Sequence, residues 1–317
     1  MPEREVKILY IMGWGRSGST ILDNLLGELD GFFSMGELHY FWERNVLGGR
    51  SCGCGRPIVE CPVWSKVVAA VDATEAERIV RWQNEAVRIR HTWKLLRSRP
   101  GSLDGSPALK AYVDVTARLN AAVADVTGTH VLVDSSKRPS DAALLEFLPG
   151  VEPFYVHLVR DPRAVAYSWK RRKALRDAAA PAEMVPHGTV DSAVNWVMWN
   201  LAAGAVRRRS GKSRSMLLRY EDFVLHPRDA VAAIAKMLGE DGAELPFEGD
   251  RTVRLGTNHT VSGNPSRFTT GTVEIRPDEE WISGQRPVDR WVTTALTLPL
   301  LPRYRYPLVP RAASASS

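Results

Sequence analysis

The sequence predicts an α/β protein with a central parallel β-sheet flanked by helices and a helical insertion between its strands. Three observations carry this. Four segments are short, apolar and rich in Val, Leu, Ile or Tyr: "VKILYIMG" (6–13), "HVLVDS" (130–135), "PFYVHLVR" (153–160) and "SMLLRY" (215–220). Such runs read as strands buried on both faces. Helical stretches separate them, and that alternation implies right-handed crossovers and a parallel sheet. The first run also enters a glycine-rich turn, "GWGRSGST" (13–20), the outline of a strand–turn–helix anion site.

Taken in order, the first strand leads through that turn into an apolar helix, and "GFFSMG" (31–36) reads as a fifth, shorter strand. A helical insertion over about 62–126 follows. Its longest segment, Thr74 to Arg97, repeats Ile79, Trp82, Ala86, Ile89, Trp93 and Leu96 at three- and four-residue steps, one apolar stripe of a single helix. Thr74 with Glu77 forms a capping-box pattern at its start. The insertion reads either as a lid over the sheet's carboxyl edge or as plain core packing. After the fourth strand, "LRDAAAPAEMVPHGTV" (175–190) reads as a mobile loop. The reading is one domain over 1–307, with 308–317 a disordered tail.

Composition narrows the class. In 317 residues, 44% hydrophobic and 25% charged is ordinary for a soluble globular chain. No apolar run approaches the ~20 residues of a membrane span. No small-residue cleavage site follows the N-terminal run, so a cytoplasmic location is expected. The net charge of +6 fits a polyanionic ligand. "RRRSGKSR" (207–214) has no interleaved aromatics, so it reads as a solvated helix end and no nucleic-acid partner is assigned. Cys52, Cys54 and Cys61 lie in "SCGCGRPIVECPVW". Their spacing is not a standard zinc pattern, and they read as small buried thiols, with His39 a conceivable fourth ligand; no metal is assigned.

The chemistry centres on the turn. The triphosphate loop reads G-x-x-x-x-G-K-[ST]; Gly13, Gly18 and Thr20 fit, but Ser19 holds the lysine position and Arg16 supplies the charge. Gly15 and Gly18 let the backbone approach an oxyanion, while Ser17, Ser19 and Thr20 add hydroxyls. Arg16 adds a charge-assisted contact to phosphate or sulfate. A serine-hydrolase elbow fails because Ser19 replaces the last glycine of G-x-S-x-G. A P-loop kinase using Mg-ATP, with Asp134 at a strand end for the metal, stays open, as does a catalytically silent nucleotide-binding protein.

With the rest of the chain, "GRSGSTIL" (15–22) resembles the 5′-phosphosulfate loop of sulfotransferases that use 3′-phosphoadenosine 5′-phosphosulfate (PAPS). "RDPRAVAYS" (160–168), "LRYEDF" (218–223) and "TVSGNPSRF" (260–268) match further family segments in order. The resemblance implies a P-loop nucleoside-triphosphate-hydrolase-like sulfotransferase fold over residues 8 to about 285. It also implies sulfonate transfer from PAPS to a hydroxyl of a small-molecule acceptor, without a metal and with adenosine 3′,5′-bisphosphate as product. Gly15, Arg16, Ser17, Gly18, Ser19 and Thr20 would hold the 5′-phosphosulfate, and Arg160 and Ser168 the 3′-phosphate. Tyr220 would lie near the adenine, with Asn264 and Arg267 in a loop closing over the 3′-phosphate. Ile21 stands where the cytosolic animal branch has a stacking Trp, and that branch's catalytic His motif is absent. The chain is therefore closer to the bacterial and the glycolipid or protein-tyrosine branches. There the base is a Glu after the first helix, which points to Glu37, assisted by Arg16 and Lys137. His39 and Asp134 remain alternative bases. The acceptor itself is left open between a natural product and a glycolipid.

Overall fold

The computed structural model describes residues 5–99, 106–171, 174–178 and 182–309. Its core is a five-stranded parallel sheet built from β1 (Val6–Met12), β2 (Phe32–Gly36), β3 (Val131–Lys137), β4 (Val151–Val159) and β7 (Ser215–Arg219), in the order β2-β3-β1-β4-β7. Between β4 and β7 lie the two-residue strands β5 (Ala174–Leu175) and β6 (Ala182–Glu183), paired antiparallel. The segment expected to be a loop therefore contains a small ribbon. A second ribbon joins β8 (Thr252–Leu255) to β9 (Gly271–Glu274).

Alternation along β1 shows why the sheet is buried on both sides. Ile8, Tyr10 and Met12 enter one core cluster, and Leu9 and Ile11 enter the other. Side chains of a strand alternate between faces, so an unbroken apolar run requires cover on each. One face is covered by α1 (Ser19–Leu26) with later helices. The other is covered by the insertion: α2 (Trp64–Val71), α3 (Ala76–Ala86), α4 (Thr92–Arg97) and α5 (Pro107–Thr127). In chain order α6 (Pro139–Leu145) follows β3, α7 (Pro162–Lys170) follows β4, and α8 (Thr189–Ser210) precedes β7. Further on come α9 (Tyr220–Leu225), α10 (Pro227–Met237), α11 (Glu280–Gly284) and α12 (Pro287–Thr297). Arg207, Arg208 and Arg209 form the basic last turn of α8, favourable at a helix C-terminus.

The single helix expected over Thr74–Arg97 is broken. Val87 and Arg88 are not helical, and the chain passes through a 3₁₀ turn at Ile89–His91 before α4 begins. The two pieces need different neighbours: α3 lies on α5, whereas α4 lies on α6 and α8. One straight rod cannot reach both, so tertiary packing overrides the continuous stripe. The expected capping box is absent too, because the Thr74 hydroxyl donates to the Asp72 carboxylate at 2.7 Å.

All five sheet strands end at one edge, and the order places β1 where successive connections depart to opposite sides. That is the switch point at which open α/β sheets bind ligands. No described helix is long and apolar enough to cross a membrane. Of the expected tail, residues 310–317 lie outside the described residues.

Candidate active site

The loop after β1 is held in an uncommon backbone. Arg16 has φ 68 and Gly18 φ 90. A side chain disfavours that left-handed region, and at Gly18 it would also collide with Tyr220, since a Cβ there would lie 2.5 Å from the ring. Gly18 then opens α1 with no side-chain cap. The first N–H groups of the helix are left to whatever enters the loop.

A cavity of about 490 Å³ lies against this loop, within the size range of small-ligand pockets (about 300–1,000 Å³). Gly15, Arg16, Gly18, Ser19, Thr20 and Ile21 line one wall, and Glu37, Ser136 and Lys137 a second. Arg160, Ser168, Tyr220, Asn264, Ser266 and Asp278 also line it. Its permanent cations are Arg16, Arg44, Arg50, Lys137 and Arg160, against Glu37, Glu183 and Asp278; the balance suits an anion.

Two cations are incompletely partnered. Nε and Nη1 of Arg16 and Nε of Arg160 are buried with no hydrogen-bond partner among the described residues. Arg16 lies 4.6 Å over the Trp169 ring, and among the described residues its Nη2 meets the Met184 sulfur at 3.3 Å. Burial, with Arg171 nearby, pulls its guanidinium down from the usual value, while Glu37 acts in the opposite sense. Arg160 stacks on Tyr220 at 4.2 Å and donates to the Arg16 carbonyl at 3.2 Å. Its Nη2 reaches the Asp278 carbonyl at 3.0 Å and the Asp278 carboxylate at 3.1 Å. Buried guanidinium groups with spare donors fit an incoming oxyanion.

Glu37 leaves the carboxyl end of β2 and pairs with Lys137 at 2.5 Å, each side chain nearly buried. Lys137 has φ 72, a strained backbone for a non-glycine residue, and also donates to the Ser135 carbonyl at 3.0 Å. From the opposite side the backbone of Val261 accepts from the Glu37 N–H at 2.8 Å. Gly263, with φ 107, passes over the carboxylate, where a Cβ would stand 3.3 Å from Oε1.

The other two candidate bases face elsewhere. His39 Nδ1 lies 2.7 Å from Asp141, and Asp134 accepts from the Ser136 N–H at 2.8 Å and its hydroxyl at 2.5 Å. Both line a separate cavity of about 30 Å³ with Tyr10, Trp42 and Tyr112. Burial pushes the Asp134 carboxyl up to about 7. Arg267 also lies apart from the large cavity. Its guanidinium is 1% exposed, paired with Asp177 at 3.2 Å and bonded to the Ser51 and Thr260 carbonyls. A buried charge must find partners within the protein, and these hold Arg267 inside. Ser17 is turned inward as well, its hydroxyl donating to the Trp14 carbonyl at 2.8 Å. The insertion supplies no wall: among the described residues, none of 51–135 lines the large cavity.

Sequence reading missed the aromatic side of the cavity. Trp14 stands 5.5 Å from Trp169 and 4.9 Å from Trp199, and His187 lies 4.4 Å from Trp169. Trp14 sits inside the glycine-rich turn and Trp169 directly follows Ser168, so their positions were visible but their convergence was not. Leu175, Met184 and Val185 from the 175–190 segment complete this side.

A family model described as "Sulfotransferase family" matches residues 9–244. Among solved structures, the sulfotransferase domain from the curacin biosynthetic pathway superposes with a TM-score of 0.53 at 17% identity, covering 96% of this chain and 99% of that one. The sulfotransferase domain from the Synechococcus PCC 7002 olefin synthase gives 0.51 at 22% identity, covering 96% of each chain. No protein of curated function matches the sequence.

Proposed function

Since the chain belongs to the sulfotransferase family, we propose that it transfers the sulfonate of PAPS to a hydroxyl of a small-molecule acceptor, with Glu37 as general base. The observation that carries this reading is the meeting of Glu37, Lys137 and the Arg16 loop in one cationic cavity. PAPS supplies a sulfonate on a 5′-phosphate; transfer joins the acceptor oxygen to sulfur and releases adenosine 3′,5′-bisphosphate.

The residues present fit such a group. The uncapped start of α1, with Ser19 and Thr20, would take the 5′-phosphate. Arg16 has two buried nitrogens without partners to face the oxygen bridging to sulfur. Arg160 and Ser168 border the same cavity and would hold the 3′-phosphate. Arg160 now spends contacts on Asp278, so that phosphate would take over from the Asp278 carboxylate. Glu37 would accept the acceptor's proton as its oxygen attacks. Lys137, already at that carboxylate, would neutralise charge gathering on the sulfonate oxygens. Asn264 remains a candidate contact, its side chain at present accepting from the Ser266 N–H at 3.2 Å. Arg267 does not, because it lies outside the cavity with both Nη atoms bonded to Asp177, Ser51 and Thr260.

On the acceptor side, Trp14, Trp169 and Trp199 with Leu175, Met184 and Val185 favour a largely apolar or aromatic hydroxyl compound. The Mg-ATP kinase reading is weaker: position 19 is a serine, and Asp134 faces the small cavity.

Two measurements test the reading. Adenosine 3′,5′-bisphosphate without added metal should raise Tm more than Mg-ATP does; the reverse order would favour the kinase. Mass spectrometry of a cell extract given the protein and PAPS should show small molecules gaining a sulfonate. Nucleotide stabilisation with no sulfonated product across extracts and hydroxyl panels would instead indicate a silent binder.

A further inference from the structure

The three cysteines gather around a histidine. Cys52, Cys54 and Cys61 converge with His259, nearly two hundred residues downstream, so that the four ligand atoms all lie within 4.8 Å of one another. Cys61 Sγ stands 3.5 Å from Cys52 Sγ and 3.3 Å from His259 Nδ1, and Cys52 Sγ lies 3.7 Å from that nitrogen. His39, the fourth ligand conceivable from the sequence, is committed to Asp141 instead.

These spacings have a geometric meaning. In a tetrahedral zinc site with Zn–S about 2.3 Å and Zn–N about 2.0 Å, ligand atoms stand about 1.63 bond lengths apart. That gives about 3.7 Å between sulfurs and about 3.5 Å between sulfur and nitrogen. Cys52, Cys61 and His259 already form such a face. Half-buried Cys54 has its sulfur within 4.8 Å of each of these three atoms, so a small inward turn of its side chain would close the tetrahedron.

The surroundings hold the ligand-bearing backbone in place. Residues 52–56 form a tight turn, with the Gly55 N–H donating to the Cys52 carbonyl at 2.9 Å and the Cys52 N–H to the Arg56 carbonyl at 2.8 Å. The Trp64 indole fixes the His259 backbone through its carbonyl at 2.5 Å. Outer groups of this kind orient ligands and tune a metal centre.

We propose that Cys52, Cys54, Cys61 and His259 bind one structural zinc ion in a Cys₃His site. The ion would join the turn after the π-helical segment Phe41–Leu47 to the strand-like stretch through Val261. That stretch bridges both Cys52 and Gly36 and accepts from the Glu37 N–H. The site thus braces, from behind, the backbone that carries Glu37. It has no open coordination position, as suits a structural site, and it stands whether or not the transfer reading holds.

The test uses the full chain, purified under reducing conditions. Elemental analysis should find about one zinc per chain, and removal by a strong chelator should lower Tm, with recovery on adding Zn²⁺ alone. Replacement by Co²⁺ should give the visible bands and thiolate charge-transfer absorption of a tetrahedral sulfur site. Cys54→Ser, at the least buried of the three cysteines, should bind substantially less zinc while retaining the far-UV spectrum. Three results would each overturn the proposal. One is a reduced chain that holds no zinc and gives no tetrahedral Co²⁺ spectrum. Another is zinc retained at full content in both Cys54→Ser and His259→Ala. The third is a Cys52–Cys61 disulfide in the native protein.

Discussion

At the scale of single residues, the site depends on side chains whose partners are few and specific. Glu37 is fixed by Lys137 in front and by the Val261 carbonyl behind, which holds a carboxylate at the cavity wall. Glu37→Gln keeps the shape and removes the proposed base. In steady-state assays its kcat should fall by about 10²–10⁴, while affinity for adenosine 3′,5′-bisphosphate changes less than threefold, an interaction lost mainly in the transition state. Near-parental kcat would remove Glu37 from the role of base. The residue scale is also where the sequence said least. It favoured Glu37 on motif position and kept His39 and Asp134 as alternatives, and the fold places those two against another cavity. Arg267 shows the same limit: the arginine was legible, but not that Asp177 and two carbonyls would hold it inside.

At the scale of elements, the turn from β4 into α7 shows how a short sequence fixes a site. Asp161 caps the helix by accepting from the Arg163 N–H at 2.9 Å, with Pro162 at the first helical position. The same carboxylate pairs with the wholly buried Arg163 guanidinium at 2.6 Å. The turn thereby directs Arg160 and Ser168 to one cavity. Asp161→Ala removes the cap and strands a buried cation, so denaturant unfolding should show a loss of about 3–5 kcal/mol; a loss below 1 kcal/mol would show that the pair is dispensable. This element was readable from "RDPR" because proline and a capping acid act locally. The helix at 74–97 was misread because its apolar stripe is local, whereas the break at Val87 serves contacts with α5, α6 and α8, elements far away in sequence.

At the scale of the whole molecule, burial sets a pH dependence. Asp23 on α1 and Asp134 on β3 lie inside, and burial raises each carboxyl to about 7 from an ordinary 3.8. Between those values the folded chain holds protons that the unfolded chain has released, so their contribution to stability falls as pH rises from about 4 and levels off above about 7. Asp23→Asn escapes that penalty. Its gain in Tm over the parent should be small at pH 4, grow towards pH 7 and stay constant at pH 8; a gain independent of pH would mean that Asp23 does not titrate in this range.

The sequence by itself determined the sheet strands, their parallel pairing and the glycine-rich turn into the first helix, because each is written in neighbouring residues: apolar runs, glycines at a bend, hydroxyls at a helix start. Family membership was legible for the same reason, in four local motifs kept in order. Tertiary structure alone decided which acid faces the cavity, which arginines keep free donors, and which tryptophans gather on the far wall. It alone brought His259 to Cys52, Cys54 and Cys61. Those outcomes depend on contacts between residues a hundred or more positions apart, and such contacts come from packing two cores against one sheet, which no local pattern records.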